Sequence, residues 1–158
     1  AIGGKWLTSI EAQLIEGGIG DILILTGIDP HTGERFPVTA TAETTLDRDK
    51  ERVWKKGGEK ETLNSGRINW WGRDPDWADT IGFRGKEDVE SPLGEWTRMD
   101  VVCDSGKIEI FVNGTKVNEI YDVTPAHGKL QLQTELAELI LRRWELWPLG
   151  KAPAYKKE

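Results

Sequence analysis

The sequence is poorest in cysteine: Cys103 is the only one among 158 residues. No disulfide can form within the chain, and cysteine usage leaves the compartment open. Long apolar runs are missing too; none approaches the ~20 residues that a membrane-spanning helix needs. Lys and Arg number 21 against 27 Asp and Glu, a formal charge of −6. That balance argues against nucleic acid and anionic membrane as partners, because both require clustered cations. Histidine occurs only at His31 and His127, inside the turn sequences "DPHTGE" and "PAHGK". Both read as exposed turn residues, with a part in divalent-metal binding as the alternative. There is no Ser-His-Asp arrangement with recognisable context, P-loop, dinucleotide fingerprint or zinc-spaced Cys/His set. No segment keeps helical periodicity over three turns, although "TAETTLDRDKERVW" has room for one short helix. The chain opens at Ala1, without Met or a signal-like apolar segment, which reads as a processed form or a fragment.

What the chain has in excess is tryptophan, 8 residues against 3 Phe and 2 Tyr. An indole offers a flat apolar face and one N–H donor, which suits stacking on a sugar ring. For any single tryptophan, a place in a β core is the more ordinary expectation. The length fits one domain, expected over residues 1–150, with a loose tail at 151–158.

Strand-like segments dominate. "TSIEAQLI" runs into a Gly17-Gly18 turn and then "DILILTG", an apolar run suited to a buried strand. "FPVTATAE" alternates with β-branched residues. Residues 44–65, dense in both charge signs, read as a solvated excursion. In the last third, "EWTRMDVVCD", "KIEIFVN", "TKVNEIYD", "KLQLQTE" and "AELILRRWELW" read as short strands separated by turns. Asp104-Ser105-Gly106 closes one hairpin, and Asn113-Gly114 suits a tight turn that needs positive φ. Asn113-Gly114-Thr115 also fits a glycosylation pattern, which the hairpin explains by itself. The expected class is an all-β antiparallel sandwich or jelly roll.

Parity along each strand sorts the faces. Ser9, Glu11 and Gln13 share one face; Ile10, Ala12 and Leu14 share the other. Gln131, Gln133 and Glu135 likewise oppose Leu130 and Leu132, and Trp96, Arg98 and Asp100 oppose Met99, Val101 and Cys103. A sheet face of carboxylates, amides, Arg and Trp meets the needs of a sugar; a plain solvated face is the alternative. Glu16 falls on the apolar parity, so only a bulge would bring it beside Glu11. Retaining glycosidases need two carboxyls ~5–5.5 Å apart. "EAQLIE" resembles the Glu-x-Asp-x-(x)-Glu strand of laminarinase-type glucanases with Gln13 in the Asp position, and a neutral amide cannot tune its neighbours' charge. Trp70, Trp71 and Arg73 read as a sugar platform with a donor beside it, or as one core and one exposed indole. Asp74, Asp76 and Asp79 roughly suit Ca²⁺, although a turn cap fits Pro75 and Trp77 better.

"SIEAQLIEGGIGD", "INWWGRDPDW", "GFRGKEDVESPLGEW", "IFVNGTKVNE" and "KLQLQTELAELILRRWEL" together resemble the 3-keto-disaccharide hydrolase domain family, over most of residues 5–147. The resemblance implies a concanavalin-like jelly roll of two sheets, here lacking N-terminal strands that relatives carry. It implies a bacterial, periplasmic or secreted enzyme acting on glycosides whose C3 hydroxyl is oxidised to a ketone. Such a ketone acidifies the C2 proton, so one base can start an elimination at C1 that water completes. On this reading Glu11, Gln13 and Glu135 are the catalytic candidates, with Glu11 as base or metal ligand. Trp71, Arg73, Gln133 and Arg142 are the substrate-binding candidates. A divalent metal (Ca²⁺, Mg²⁺ or Mn²⁺) is the one cofactor left open, with no ligand set assigned. The expected partner is a glycoside, and missing strands would leave an edge open to strand-mediated self-association. A non-catalytic carbohydrate-binding or adhesive module is the alternative function, and an assembly or scaffold role a third.

Overall fold

A computed structural model describes residues 7–29, 31–134 and 137–156. Strands form where β-branched and apolar residues alternate with polar ones, and where glycines supply the reversals between them. Among the described residues there is no helix; the regular elements are all strands.

The smaller sheet holds β1 (Ser9–Ala12), β2 (Ile22–Leu25) and β8 (Gly66–Ile68), in the order β1-β2-β8. The larger sheet holds β5 (Thr39–Leu46), β6 (Arg52–Trp54), β7 (Glu59–Leu63), β9 (Met99–Asp104), β10 (Lys107–Val112) and β11 (Thr115–Thr124). Its order is β6-β5-β11-β10-β9, with β7 also on β5. A ribbon of β3 (Gly27–Ile28) and β4 (Arg35–Phe36) is a third, minor sheet where two were expected. All of these pairings are antiparallel. One parallel bridge, Val53 to Asn69, joins the larger sheet to the end of β8.

Register decides what faces inward. Ile10 pairs with Ile24, Ala12 with Ile22, and Ile22 with Ile68, so these five line one face of the smaller sheet. They join Ala40, Ala42, Leu63, Ile110, Val112 and Ile120 of the larger sheet in one apolar cluster. Truncating such a side chain costs about 2–5 kcal/mol, because the site collapses only in part. At the β10–β11 pairing the register shifts between Ile110 and Phe111. The extra residue on β11 lets Val117 and Asn118 both point into the core, each fully buried. Asn118 Nδ2 donates to the carbonyls of Gly20 and Ile68, both at 3.0 Å. One buried amide thus ties the larger sheet to β8 and to the turn that leads into β2.

Three expectations change. Residues 44–65 are not an excursion: they finish β5 and build β6 and β7, and the helical option there is a β5–β6 hairpin instead. Their charge marks edge strands and is paired, Arg52 to Glu61 at 2.8 Å. "KLQLQTE" and "AELILRRWELW" form no strand among their described residues. Their apolar side chains are outside, Leu130 at 69% and Trp144 at 62% exposure. Alternation can sort the two faces of a strand, but only a paired edge makes it a strand. Residues 151–156 are attached to the body: Arg98 donates to the Pro153 carbonyl at 2.8 Å, and Tyr155 lies over Gly114.

Asn118→Ala is expected to lower stability by about 2–3 kcal/mol, since two buried carbonyls lose their donor. Urea unfolding with an unchanged m-value checks this; a loss within error would mean that water replaces the amide.

Candidate active site

The same register that turns Ile22 and Ile24 inward turns the neighbouring positions outward. Glu11 pairs with Leu23, and Leu23 with Arg67, so a carboxylate and a guanidinium share the outer face of the smaller sheet. Two strand spacings separate their backbones, about 10 Å. Gln13 continues the row, its N–H donating to the Asp21 carbonyl at 2.9 Å. The Gln13 Oε1 accepts from the N–H of Leu14 at 2.8 Å, which fixes the amide on its own strand end.

Opposite Gln13 stands Asp21, fully buried. Its Oδ1 accepts the N–H of Trp70 at 2.8 Å, and its Oδ2 is ion-paired with Arg73 Nη1. Arg67 Nε lies 3.9 Å from the same oxygen. Burial pushes the Asp21 carboxyl up to about 6, against the pull of Arg73, the Trp70 N–H and Arg67. Desolvation also lowers the Arg73 guanidinium from its ordinary value, with Asp21 opposing. The Arg73 guanidinium carbon lies 4.1 Å from the centre of the Trp77 ring. Beside this group, Asn69 Nδ2 donates to Glu51 at 2.8 Å.

Residues 70–90 are folded over the turn that joins β1 to β2. Trp77 Nε1 donates to the Glu16 carbonyl at 2.8 Å, and Trp70 Nε1 to the Gly17 carbonyl at 3.2 Å. The Glu16 carboxylate accepts the N–H of Gly82 at 2.9 Å, and Glu90 accepts that of Ile19 at 3.3 Å. Glycine is required in that turn. Gly17 has φ 71°, and a Cβ there would come 2.8 Å from Trp77; Gly20 has φ 96°, and a Cβ there would run into Val117. Burial pushes the Glu90 carboxyl up to about 7, with Asp88 adding to it.

The candidates from sequence are scattered. Glu11 and Gln13 lie together on the outer face, with Glu16 away from them in the turn. Arg73 belongs to the same neighbourhood, but its guanidinium serves Asp21 and Trp77 from a buried position. Trp71 is 37% exposed; its Nε1 donates to the Lys116 carbonyl at 2.9 Å, and its ring meets Trp70 edge-on at 5.4 Å. Gln133 is exposed in an unpaired segment. Arg142 is exposed too, 6.0 Å from the ring of Trp96, which is far along the chain from Glu11. Glu135 lies outside the described residues. Asp74 caps its own turn through the N–H of Asp76, and Asp76 is paired with Arg48 at 2.8 Å. Among the described residues no group of three or more His, Cys, Asp or Glu side chains could hold a metal ion.

Sequence reasoning missed Asp21 and Arg67. The signal for Asp21 was present: a tight Gly-rich reversal after Gln13 makes residues 21, 23 and 25 partners of 13, 11 and 9. Arg67 carried none, because its strand joins from a distant part of the chain.

Residues 6–146 match the 3-keto-alpha-glucoside-1,2-lyase-like domain. The chain belongs to that family. No curated protein and no solved structure matches it. The family's description names a carbohydrate-active lyase chemistry, and the outer face of the smaller sheet carries one half-buried carboxylate and one partly exposed cation.

Both buried carboxyls have native pKa values above their ordinary 3.8 and 4.5. Between those values the native state holds more protons than the unfolded chain, so stability from these groups falls as pH rises. Asp21→Asn is expected to flatten the stability curve between pH 3.8 and about 6. Glu90→Gln is expected to flatten it between pH 4.5 and about 7. Urea midpoints across that range provide the check, and unchanged slopes in both variants would contradict the assignment.

Proposed function

We propose that the chain cleaves the glycosidic bond of 3-keto-glycosides by elimination followed by hydration. The observation that carries the reading is the register that puts Glu11 and Arg67 on one outward face, in a chain of this family. Glu11 takes the C2 proton. The electrons of the broken C2–H bond are delocalised onto the C3 ketone, whose developing negative charge Arg67 stabilises. As that enolate collapses, a C1=C2 bond forms, the C1–O bond breaks and the leaving oxygen takes up, by way of solvent, the proton that Glu11 removed, which restores the carboxylate. Water then adds, its oxygen to C1 and its hydrogen to C2. An unoxidised glycoside lacks the acidic C2 proton and is no substrate.

Exposed indole faces favour a second reading. Trp96, Trp144 and Trp147 are each about half exposed or more, and a flat ring binds sugars without turning them over. On that reading the domain is a carbohydrate-binding module.

One experiment separates the two: a 3-keto-glucoside and its unoxidised parent are incubated with the protein, with and without chelator. Cleavage of the keto sugar alone, reduced about 10²–10⁴-fold in Glu11→Gln, is the expected result. Binding of both sugars without cleavage would favour the module. Equal turnover by the variant would remove Glu11 from the chemistry.

A further inference from the structure

The larger sheet ends in a strand whose only edge protection is two aspartates on its outer face. β9 pairs only with β10 among the described residues. Natural edges are blunted by lysine, proline, bulges or short length. The β7 edge has Lys60, and β1 is only four residues long. β9 is six residues, "MDVVCD", without lysine or proline and in unbroken register.

The hairpin fixes which backbone groups are unused. Asp104 pairs with Lys107 across Ser105-Gly106, and Asn113 donates to the Arg98 carbonyl at 2.8 Å. Even-numbered residues from 98 to 104 therefore bond to β10, since hydrogen-bonded and open pairs alternate in an antiparallel ladder. Met99, Val101 and Cys103 aim their N–H and C=O groups away from the sheet. Their side chains lie opposite Val112, Ile110 and Ile108, on the core side. Met99 packs on the core, but Val101 is 46% exposed and Cys103 is also exposed. The apolar row runs out past its cover.

We propose that β9 pairs antiparallel with β9 of a second copy of this chain, about a two-fold axis at Val101. In that register Val101 faces Val101, and Met99 faces Cys103 of the second copy. All three outward-aimed residues then form hydrogen-bonded pairs, each exchanging two bonds, so the edge is satisfied with no group left over. The charges agree as well. On the opposite face Arg98 comes across from Asp104 of the second copy, while Asp100 meets Val102. Arg98 already holds Asp100 at 2.7 Å, so it would bridge an acid on each copy. Sliding the pair by one residue would set outward groups against ones already used by β10. The occupant is a second copy because the strand is complementary to itself in hydrogen bonding, apolar row and charge at once.

Sedimentation equilibrium reads the result. The wild type is expected to reach twice its 17.8 kDa chain mass as concentration rises. Val101→Lys, at an exposed position, should remain monomeric where the wild type is half dimer, with unchanged circular dichroism. Register is tested separately in Cys103→Ser chains under mild oxidation. Adding Val101→Cys should give a cross-linked dimer, because facing Cα atoms in such a pair are about 5.5 Å apart. Adding Val102→Cys instead should not. A wild type monomeric at every soluble concentration, a dimer indifferent to Val101→Lys, or equal cross-linking at 101 and 102 would each overturn the proposal.

Discussion

The buried carboxylate of Asp21 is the constraint on which the candidate site depends. An ion taken out of water is costly unless every oxygen is occupied. Here the Trp70 N–H, Arg73 and, at longer range, Arg67 all converge on it. Meeting that demand draws residues 70–73 onto the end of the β1–β2 hairpin. Arg73 in turn lies on Trp77, whose indole N–H reaches the Glu16 carbonyl. A chain of contacts therefore runs from one buried acid to a whole covering segment. Removing a partner from such a pair typically costs about 3–5 kcal/mol, because the charge left behind is unsatisfied.

That clamp also bears on chemistry. Arg67 approaches the buried Asp21 and is partly exposed on the face that it shares with Glu11. A carboxylate and a cation held on the two strands that flank β2 are fixed by the sheet, and fixed groups are worth more to any chemistry than the same groups on mobile side chains. Asp21 itself is wholly buried and touches the outer face only through Arg67. The inward isoleucines and the outward ionisable groups are consequences of one register, so the core and the site cannot be altered independently.

The fold class was legible because its signals are local. Alternation in "SIEA", the Asn113-Gly114 turn and the lack of any helical period each report on a few neighbouring residues. The charged stretch 44–65 was misread, since charge on an edge strand and charge on a loop look alike in sequence. "KLQLQTE" was misread in the opposite sense: it has the pattern of a strand, but its described residues have no paired edge. That Glu11 and Gln13 share one face was legible from parity. Arg73 was noticed for its place beside two tryptophans, but only tertiary packing shows that it faces a buried acid. Arg67 was invisible, because its position beside Leu23 depends on β8 joining β2 across forty residues of chain.

The most direct measurement of the clamp is native-state hydrogen exchange on the wild type and Arg73→Gln. If Asp21 and Arg73 hold residues 70–90 onto the β1–β2 turn, amides at 16–21 and 70–90 should exchange faster together. Amides of β10 and β11 should keep their protection, since they belong to the core pairing. Faster exchange confined to the residues next to Arg73, with the 16–21 turn unchanged, would contradict the central role of the pair.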